Sequence, residues 1–398
     1  MSQKNEPSGD SSSAGSGSYI EREKDVEAVF SKKPVDVVEG DGVHLYTSDG
    51  TEYLDMGASY GVMAVGHSNS RVVDAVESQV EELTYVQGSY ASPSRTRLME
   101  RLVDITPEGL DRVFLANSGT EVNEAALKFA RASTDGEKAV AAKRGFHGRT
   151  YGSISMSWKK KYRTPFEPTV PAVEHAGYND VDDLTQTVDD ETAVVLLEAI
   201  QGEGGIHPAD SEYLQAAREL CDDHGAYLVF DEIQTGLGRT GEFWSFEGYD
   251  VEPDAITTAK SLGGGLPISA LICGEELTEI PKGSHGGTYC GNPTACAAAE
   301  ATLDYIKEND LPDNAREMGK RLVEGVREID SGRVVEVRGE GLMIGIQVRG
   351  RSGRYLSKLA KRNVLALPAG KNVVRFLPPL ILEESHIDDV VGALEEIL

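Results

Sequence analysis

The stretch that decides the fold is AYLVFDEIQTGLGRTG, residues 226–241. Its first five residues, 226–230, predict a buried strand that ends on two carboxylates, Asp231 and Glu232. A second apolar run, DAITTAK, ends on Lys260. In open α/β sheets, ligands bind beyond the carboxyl ends of the strands. The sequence therefore predicts an acid and an amine at the same edge of a sheet.

Apolar strands and amphipathic helices alternate outward from this stretch, beginning at about residue 112. Strands are predicted in DRVFLAN, KAVAAK, TAVVLLEAI, AYLVF, DAITTAK and ISALICG, and helices in EVNEAALKFARAS and SEYLQAARELCDDHG. Such alternation is typical of a mainly parallel sheet with helices on both faces. The predicted fold class is therefore α/β.

The final hundred residues have a different pattern, in which two helices precede two strand regions and a last helix. A hairpin, VHLYTSDGTEYLD, is predicted near the N-terminus with DG at its turn. We predict a large domain over residues 59–290 and a smaller α+β domain that joins 19–58 to 291–398. The Ser/Gly-rich residues 1–18 are predicted to form a flexible tail.

The charge and cysteine content exclude several classes of protein. Lys and Arg total 39 and Asp and Glu total 66, so the formal net charge is −27, which repels nucleic acid and anionic membranes. No apolar run approaches the roughly 20 residues that span a bilayer. The N-terminus lacks the apolar segment of a secretory signal, which favours a cytoplasmic location. The four cysteines form no CxxC pair and the nearby histidines lack metal-ligand spacing, so we expect reduced thiols and no metal site.

Three features of the sequence each have an ordinary structural explanation as well as a chemical one. NSGTE opens a helix, where Ser118, Gly119 and Thr120 form either a phosphate site or a plain Ser/Thr cap. Lys260 is either a buried amine that reacts with an aldehyde or a surface lysine. Asp231 is either a counter-charge or a turn cap. Together, a phosphate site, an aldehyde-reactive amine and a carboxylate for a ring nitrogen point to one cofactor, pyridoxal phosphate (PLP).

Seven motifs, in their order along the chain, resemble those of the class III PLP-dependent aminotransferases of the acetylornithine/ornithine type. They are NSGTEVNEAALKFAR, GFHGRT, EAIQGEGG, DEIQTGLGRTG, AKSLGGGLP, HGGTYCGNP and VVRFLPPL. The resemblance runs from about Val43 to the C-terminus, and the spacing of 29 residues from Asp231 to Lys260 (260 − 231) also matches the family. It implies the PLP-dependent transferase fold type I, with a large and a small domain, and at least a homodimer.

The resemblance implies catalytic roles for Lys260 and Asp231. Lys260 would hold the cofactor through its amine and then move a proton between the substrate Cα and the cofactor. Asp231 would keep the ring nitrogen protonated, and Gln234 would hydrogen-bond the ring hydroxyl. The other implied cofactor contacts are Gly119 and Thr120 at the phosphate, Phe146 on the ring face, Glu232 and Ile233 in the motif of Asp231, and Thr288 from the partner subunit.

The resemblance also implies how substrates bind. Arg149 would bind a substrate carboxylate as a planar fork, and Gly287 is assigned to the substrate side as well. Glu203 and Arg375 would form a pair that stays closed for an ω-amino substrate. When that pair opens, Arg375 would accept the α-carboxylate of glutamate or 2-oxoglutarate. An enzyme that alternates between two substrates needs both members of the pair.

Several stretches are most similar to archaeal and thermophilic-bacterial members whose substrate is attached to a small acidic carrier protein of the LysW type. They are ASYGVMAVGH, GSISMSWKKKYRTPF and NVLALPAGKNVVRFLPPL. Independently, Lys159, Lys160, Lys161 and Arg163 form a basic run that would attract an acidic carrier; the alternative is a solvated turn of basic residues without a partner. We therefore expect amino-group transfer between glutamate or 2-oxoglutarate and carrier-linked ornithine or lysine, in arginine or lysine biosynthesis.

Free N-acetylornithine is the main alternative substrate. Glutamate-1-semialdehyde aminomutase shares the fold, but Glu203 and Arg375 argue against it because that pair suits two alternating substrates. A PLP-binding transcription regulator would need a basic DNA-binding domain, which this acidic chain does not supply. A catalytically inactive protein with the same fold is disfavoured because every chemical position is filled.

Overall fold

The architecture is built on a seven-stranded sheet, seen in a computed structural model that describes residues 18–398. In spatial order its strands are Arg112–Ala116, Ser269–Cys273, Ala255–Thr258, Tyr227–Asp231, Thr192–Leu197, Lys138–Ala142 and Val173–Ala176. Neighbouring strands are parallel except at Ser269–Cys273, which is antiparallel to both of its neighbours. The predicted α/β fold with a mainly parallel sheet is confirmed. The tail predicted for residues 1–18 lies, apart from Ser18, outside the described residues.

Both faces of this sheet are covered, which explains why its strands are unbroken apolar runs. Every residue of Lys138–Ala142 is buried, and the side chains alternate between two cores. Val140 packs in one core and Ala141 in the other. The helix Ser211–His224 contributes to the core of Val140, and the helix Gly119–Ser133 contributes to the core of Ala141.

The helices follow the apolar spacing of the sequence. The α-helices are Tyr19–Val26, Ala58–Gly61, Ser70–Glu82, Pro93–Asp104, Gly119–Ser133, Tyr151–Met156, Lys160–Arg163, Val181–Thr187, Gly202–Gly205, Ser211–His224, Pro293–Glu308, Leu311–Glu328, Ser352–Ala360 and Glu384–Ile397. The 3-10 helices are Thr164–Phe166, Ser245–Tyr249, Lys260–Gly263 and Glu275–Thr278.

Three smaller sheets complete the described part of the fold. The first contains Val37–Asp41, His44–Thr47, Glu52–Asp55 and Val364–Leu365, the second contains Val334–Glu340, Met343–Val348, Val373–Phe376 and Leu367–Ala369, and the third contains Ile200–Gln201 and His207–Pro208. The N-terminal hairpin is therefore observed, and its last strand pairs in parallel with Val364–Leu365.

This pairing across the chain supports the division into residues 59–290 and 19–58 with 291–398, which we propose as the two domains. The helix Pro293–Glu308, which follows the proposed boundary, packs against the helices Ser70–Glu82 and Pro93–Asp104 of the large domain and so links the two proposed domains. Within residues 18–398, no helix has the length and apolar character needed to cross a membrane. In the same residues, no group of three or more His, Cys, Asp or Glu side chains is arranged to hold a metal ion.

Candidate active site

A cavity of about 370 Å³ lies at the carboxyl ends of the parallel strands. Asp231 is the last residue of one strand, and Lys260 follows the neighbouring strand by two residues. Both side chains line the cavity, as the strand-end argument predicted. The cavity wall also contains the predicted site residues Gly119, Thr120, Phe146, Glu203, Ile233 and Gln234. The fold thus brings together side chains that are far apart in the sequence.

Asp231 is held in place by a buried network of hydrogen bonds. Its Oδ2 accepts hydrogen bonds of 2.8 Å from both Asn123 Nδ2 and His147 Nδ1. Asn123 is oriented in turn by the hydroxyl of Thr257, which donates to Asn123 Oδ1 over 2.8 Å. The other oxygen, Asp231 Oδ1, accepts a hydrogen bond from the backbone N–H of Ile233 over 3.2 Å. A carboxylate oxygen accepts more than one hydrogen bond, so Oδ1 keeps capacity for a donor in the cavity.

His147 stabilises the negative charge of Asp231. Burial by itself would lower the pKa of His147, but the hydrogen bond and the charge of Asp231 outweigh burial and raise that pKa. The imidazole therefore favours its cationic form and donates from Nδ1. Nε2 of His147 is fully buried and has no hydrogen-bond partner in the described structure.

Lys260 presents its amine to the cavity from a strained backbone. It begins the 3-10 helix Lys260–Gly263 with a φ of +38°, in the region that residues other than glycine rarely adopt. Burial lowers the pKa of the Lys260 amine more strongly than the nearby charges of Asp231 and Glu203 raise it. No hydrogen bond or ion pair within residues 18–398 involves Nζ of Lys260. A neutral amine without a partner is the nucleophilic form of lysine.

The helix Gly119–Ser133 begins at the cavity wall. Gly119 and Thr120 are its first residues, so their backbone N–H groups have no acceptor within the helix and can bind an anion. A Cβ atom at Gly119 would lie 2.7 Å from Ile233 Cδ1, so a larger residue here would force the Ile233 side chain to move. The hydroxyl of Thr120 accepts hydrogen bonds of 3.2 Å from the backbone N–H groups of Arg149 and Thr150.

Phe146 and Glu198 form another wall of the cavity. The Glu198 carboxylate accepts hydrogen bonds from the backbone N–H groups of Phe146, over 3.0 Å, and Gly202, over 3.1 Å. Burial raises the pKa of Glu198 to about 7, although the nearby charge of His147 opposes this shift. Glu198 therefore changes its charge close to neutral pH.

Arg375 and Glu203 form the predicted ion pair. Arg375 is fully buried, and its Nη2 lies 2.6 Å from Glu203 Oε1. Within the described residues, Nη2 and Nε of Arg375 have no hydrogen-bond acceptor with suitable angles. The contact with Glu203 is therefore an attraction between charges and not an aligned hydrogen bond. Arg375 Nη1 donates to Gln234 Oε1 over 3.0 Å, and the guanidinium lies 5.4 Å from the ring centre of Tyr60.

Arg149 lies beside the cavity with its side chain exposed. Its guanidinium lies 4.9 Å from the ring centre of Tyr162, within the range of a cation–π contact. The Tyr162 ring packs edge-on against Phe146, with 5.7 Å between ring centres. The one-turn helix Lys160–Arg163 that carries Tyr162 therefore contacts both Arg149 and Phe146.

The sequence did not identify Asn123, His147 and Tyr162 as site residues. Asn123 lies one turn after Gly119 on a helix that was predicted to start at the site, and this helical spacing could have identified it. His147 is part of the GFHGRT motif, in which only Phe146 and Arg149 were assigned. Nothing in the local sequence indicates the contact of Tyr162 with Arg149.

The assignment of Glu232 as a cofactor contact is not supported by the position of its carboxylate. Glu232 is buried but does not line the cavity. It accepts hydrogen bonds from the hydroxyls of Thr235 and Ser245 and from the backbone N–H of Phe246. Successive side chains of an extended chain point to opposite sides, so the residue after Asp231 faces away from the cavity. Its role here is structural.

Gly287 and Thr288 do not line the cavity of their own subunit. Both are exposed, and the backbone carbonyl of Thr288 accepts a hydrogen bond of 2.6 Å from the Tyr85 hydroxyl. Thr288 was expected to act from the partner subunit, and a single chain does not test that role. The assignments of these two residues therefore stay predictions.

The side chains present fit PLP. The cavity contains an unpartnered amine at Lys260, a carboxylate oxygen of Asp231 with spare capacity, and free helix N–H groups at Gly119 and Thr120. These groups suit, respectively, an aldehyde, a protonated ring nitrogen and a phosphate.

Comparison with known proteins agrees with this fit. The family described as "Aminotransferase class-III" matches residues 27–398. An acetylornithine aminotransferase of Methanocaldococcus jannaschii is 40% identical and the match covers 93% of this chain and 94% of the relative. A (LysW)-aminoadipate semialdehyde transaminase of Deinococcus radiodurans is 41% identical, over 93% of this chain and 87% of the relative.

A solved structure of the ornithine aminotransferase from Toxoplasma gondii ME49 shares the fold. It superposes with a TM-score of 0.91 at 30% identity and covers 95% of this chain and 93% of its own. A second neighbour, an amine transaminase from an uncultivated Pseudomonas species in its PLP-bound form, has a TM-score of 0.87 at 27% identity and covers 98% of each chain. The chain therefore belongs to the class-III aminotransferase family and is a PLP-dependent transaminase.

Proposed function

We propose that this transaminase moves an amino group between glutamate or 2-oxoglutarate and the ω-position of ornithine or lysine attached to an acidic carrier protein. The reaction would belong to arginine or lysine biosynthesis. One observation carries the proposal: Lys160 and Lys161 are exposed beside the cavity, on the helix whose Tyr162 contacts both Phe146 and Arg149. Several relatives are named for LysW-linked substrates, which supports the same substrate class.

PLP, when bound, supplies an aldehyde that carries the amino group and an aromatic ring that takes up the electron pair left at the substrate carbon. The side chains of this protein would hold and steer that group. Asp231, fixed by Asn123 and His147, would keep the ring nitrogen protonated. The Lys260 amine has a pKa lowered by burial, so it can accept the proton released at the substrate carbon and return it later.

Two substrates must use one cavity in turn, and we propose that Glu203 and Arg375 sort them. In the structure the pair is closed, with 2.6 Å between Arg375 Nη2 and Glu203 Oε1. A closed pair presents no net charge to an ω-amino substrate. Glutamate carries a second carboxylate, which would displace Glu203 and bind the guanidinium bidentately. Because Arg375 is fully buried, its charge needs one partner or the other at all times.

The carrier would bind by charge complementarity. The chain has a net charge of −27, so exposed positive residues next to the cavity stand out against a repulsive surface. An acidic carrier would be steered to Lys160 and Lys161, and its attached substrate would then reach the cavity past Arg149.

Free N-acetylornithine is the second candidate substrate. The exposed Arg149 guanidinium can bind the α-carboxylate of a small molecule without any carrier, and relatives named acetylornithine aminotransferase share about 40% identity with this chain. Steady-state kinetics of the purified enzyme on both substrates tests the choice. We expect kcat/KM for the carrier-linked substrate to exceed that for N-acetylornithine at low salt. A higher value for N-acetylornithine at every salt concentration would reject the carrier.

We also propose that a second copy of this chain completes the site. Thr288 is exposed outside the cavity of its own subunit, next to the exposed aromatic rings of Tyr289 and Tyr85, whose centres are 5.5 Å apart. In a dimer such rings would be buried, and Thr288 could reach the phosphate of the partner. Light scattering of the purified protein, combined with the PLP affinity of Thr288→Ala, tests this. A monomer with full PLP affinity would contradict it.

A further inference from the structure

Lys159 differs from its basic neighbours in the run Lys159–Arg163. Lys160 and Lys161 are exposed, whereas Lys159 is half-buried. Its Nζ donates a hydrogen bond of 2.7 Å to the backbone carbonyl of Glu203. The residue that looked like part of a basic surface therefore reaches into the site.

Glu203 lies in a single helical turn, Gly202–Gly205. The last four carbonyl groups of an α-helix find no N–H donor within the helix, so the carbonyl groups of so short a helix depend on donors from outside it. Lys159 supplies that donor at residue 203, and Arg338 supplies another at Gly205, where Nη2 lies 2.7 Å from the carbonyl. The backbone from which the Glu203 carboxylate extends is thus held by a side chain from another segment.

The charges of Glu203 and Arg375 both act on the Lys159 amine, which donates to the Glu203 carbonyl. Burial is the largest influence and lowers the pKa of Lys159, while the charge of Glu203 raises it and the charge of Arg375 lowers it again. The amine lies close enough to both members of the pair to be affected by each. Its position therefore influences the balance between them.

We propose that Lys159 is a positioning residue for the pair of Glu203 and Arg375. By holding the backbone of Glu203, Lys159 keeps the carboxylate at 2.6 Å from the guanidinium and sets how easily a substrate carboxylate can displace it. This inference rests on the proposed alternation between two substrates. It also connects the pair to the helix Lys160–Arg163, which begins at the next residue.

Positioning and charge predict opposite effects of Lys159→Met on the binding of a dicarboxylate. Lys159→Met removes a positive charge near the cavity, which by itself weakens the binding of a dicarboxylate. It also releases the Glu203 backbone, so the pair opens more easily and Arg375 becomes available. If positioning dominates, a dicarboxylate binds the variant more tightly than the wild type.

The experiment measures the dissociation constant of glutarate, a non-reacting dicarboxylate, from the cofactor absorbance of the holoenzyme. We expect Lys159→Met to bind glutarate several-fold more tightly and Lys159→Arg, which keeps a donor, to stay near the wild type. Lys160→Met removes an equal charge from the exposed neighbour and should weaken glutarate binding slightly. Equal or weaker binding by Lys159→Met than by Lys160→Met overturns the proposal.

Single-turnover half-reactions give a second readout. In Lys159→Met, the concentration of N-acetylornithine at half-maximal rate should rise about tenfold, because this substrate needs the closed pair and the variant loses a charged hydrogen bond that supports it. The concentration of glutamate at half-maximal rate should not rise, because glutamate needs the open pair. A parallel change in both half-reactions would mean that Lys159 acts only through general stability. The carrier hypothesis fails separately, in the wild type, if carrier-linked substrate is not used, and glutarate binding is unaffected by that outcome.

Discussion

The cavity has a floor and a rim that are built in different ways. The floor consists of His147, Asp231 and Lys260, which line the cavity on or next to the central sheet, together with Asn123, which holds Asp231 from the helix Gly119–Ser133 without lining the cavity itself. The rim consists of Arg149 and the segment Lys159–Arg163, which lies on loops and a one-turn helix. Asp231 is 5% exposed, whereas Arg149, Lys160 and Lys161 are exposed to solvent.

This difference separates chemistry from specificity. A buried network whose members each hold the next tolerates little change, since an unsatisfied buried group costs about 1–3 kcal/mol and an unpaired buried charge costs more. Substitution of an exposed side chain on a loop usually changes the free energy of unfolding very little. We therefore infer that the floor performs the reaction common to the family, whereas the rim selects the substrate.

The strongest test of the floor is Lys260→Ala. Without the amine, the cofactor would have no covalent attachment and the substrate proton would have no acceptor at Lys260, so turnover should fall by more than about 10⁴-fold. The fold should survive, because no hydrogen bond or ion pair within residues 18–398 involves the Lys260 amine. Transamination assays and circular dichroism of the purified variant measure both, with Lys320→Ala, an exposed lysine, as the control. Retained turnover in Lys260→Ala would refute the assignment.

A second test compares adjacent acids on opposite sides of one strand end. Asp231→Asn removes the charge that would keep the cofactor's ring nitrogen protonated and that raises the pKa of the buried His147, so we expect activity to fall by about 10²–10⁴-fold. Glu232→Gln disturbs only the contacts to Thr235, Ser245 and Phe246, so it should cost about 1–3 kcal/mol of unfolding free energy with kcat within about twofold of the wild type. Single-turnover rates and urea denaturation measure the two effects. A similar loss of kcat in both variants would place Glu232 in the floor after all.

The floor was only partly predictable from the sequence. Asp231 and Lys260 could be predicted because strand ends are local features and parallel strands bring their carboxyl ends together. The partners of Asp231 could not be predicted, since Asn123 and His147 are 108 and 84 positions away and meet it only after folding. The antiparallel strand Ser269–Cys273 was missed as such for a related reason, because strand direction depends on how the chain returns to the sheet.

The rim was predicted less accurately, because a run of basic residues in the sequence does not show which of them are buried. A run of basic residues predicts a single exposed surface, yet Lys159 turns inward to the Glu203 carbonyl. Tyr162 has no distinguishing sequence context, although its ring joins Phe146 to Arg149. The direction in which each side chain of so short a segment points decides such contacts. The local sequence does not determine that direction.

Glu198 lines the same cavity and should make the stability of the protein depend on pH. Its folded pKa of about 7 lies above the ordinary 4.5, so the folded protein holds this proton more tightly than the unfolded chain. The stabilisation is full below pH 4.5 and is lost as the pH rises toward 7. The shift of 2.5 units (7 − 4.5) corresponds to about 3 kcal/mol.

Glu198→Gln cannot titrate, so we expect the difference in unfolding free energy between wild type and variant to change by up to about 3 kcal/mol between pH 4.5 and 7.5. Urea denaturation at several pH values measures it. The pH dependence is the readout, because the amide also loses one backbone hydrogen bond at every pH. Parallel stability curves for the two proteins would show that Glu198 does not titrate in this range.

The smallest effect is expected at the rim, from the double change Lys160→Gln and Lys161→Gln. Lys159 is retained because its amine holds the Glu203 backbone, so a variant that removes all three lysines would mix docking with positioning. Stability should change by less than about 0.5 kcal/mol, since both side chains are exposed. We expect kcat/KM for a carrier-linked substrate to fall about tenfold at low salt, with the loss shrinking as ionic strength rises, because added ions screen the attraction. N-acetylornithine has no extended acidic surface, so its kcat/KM should change less than twofold.

Changing the exposed Lys320 and Lys361 in the same way controls for total charge. If the two substrates lose activity equally, or if the loss does not depend on salt, Lys160 and Lys161 do not bind the carrier, and specificity must be sought in the rest of the rim, at Arg149 and Tyr162.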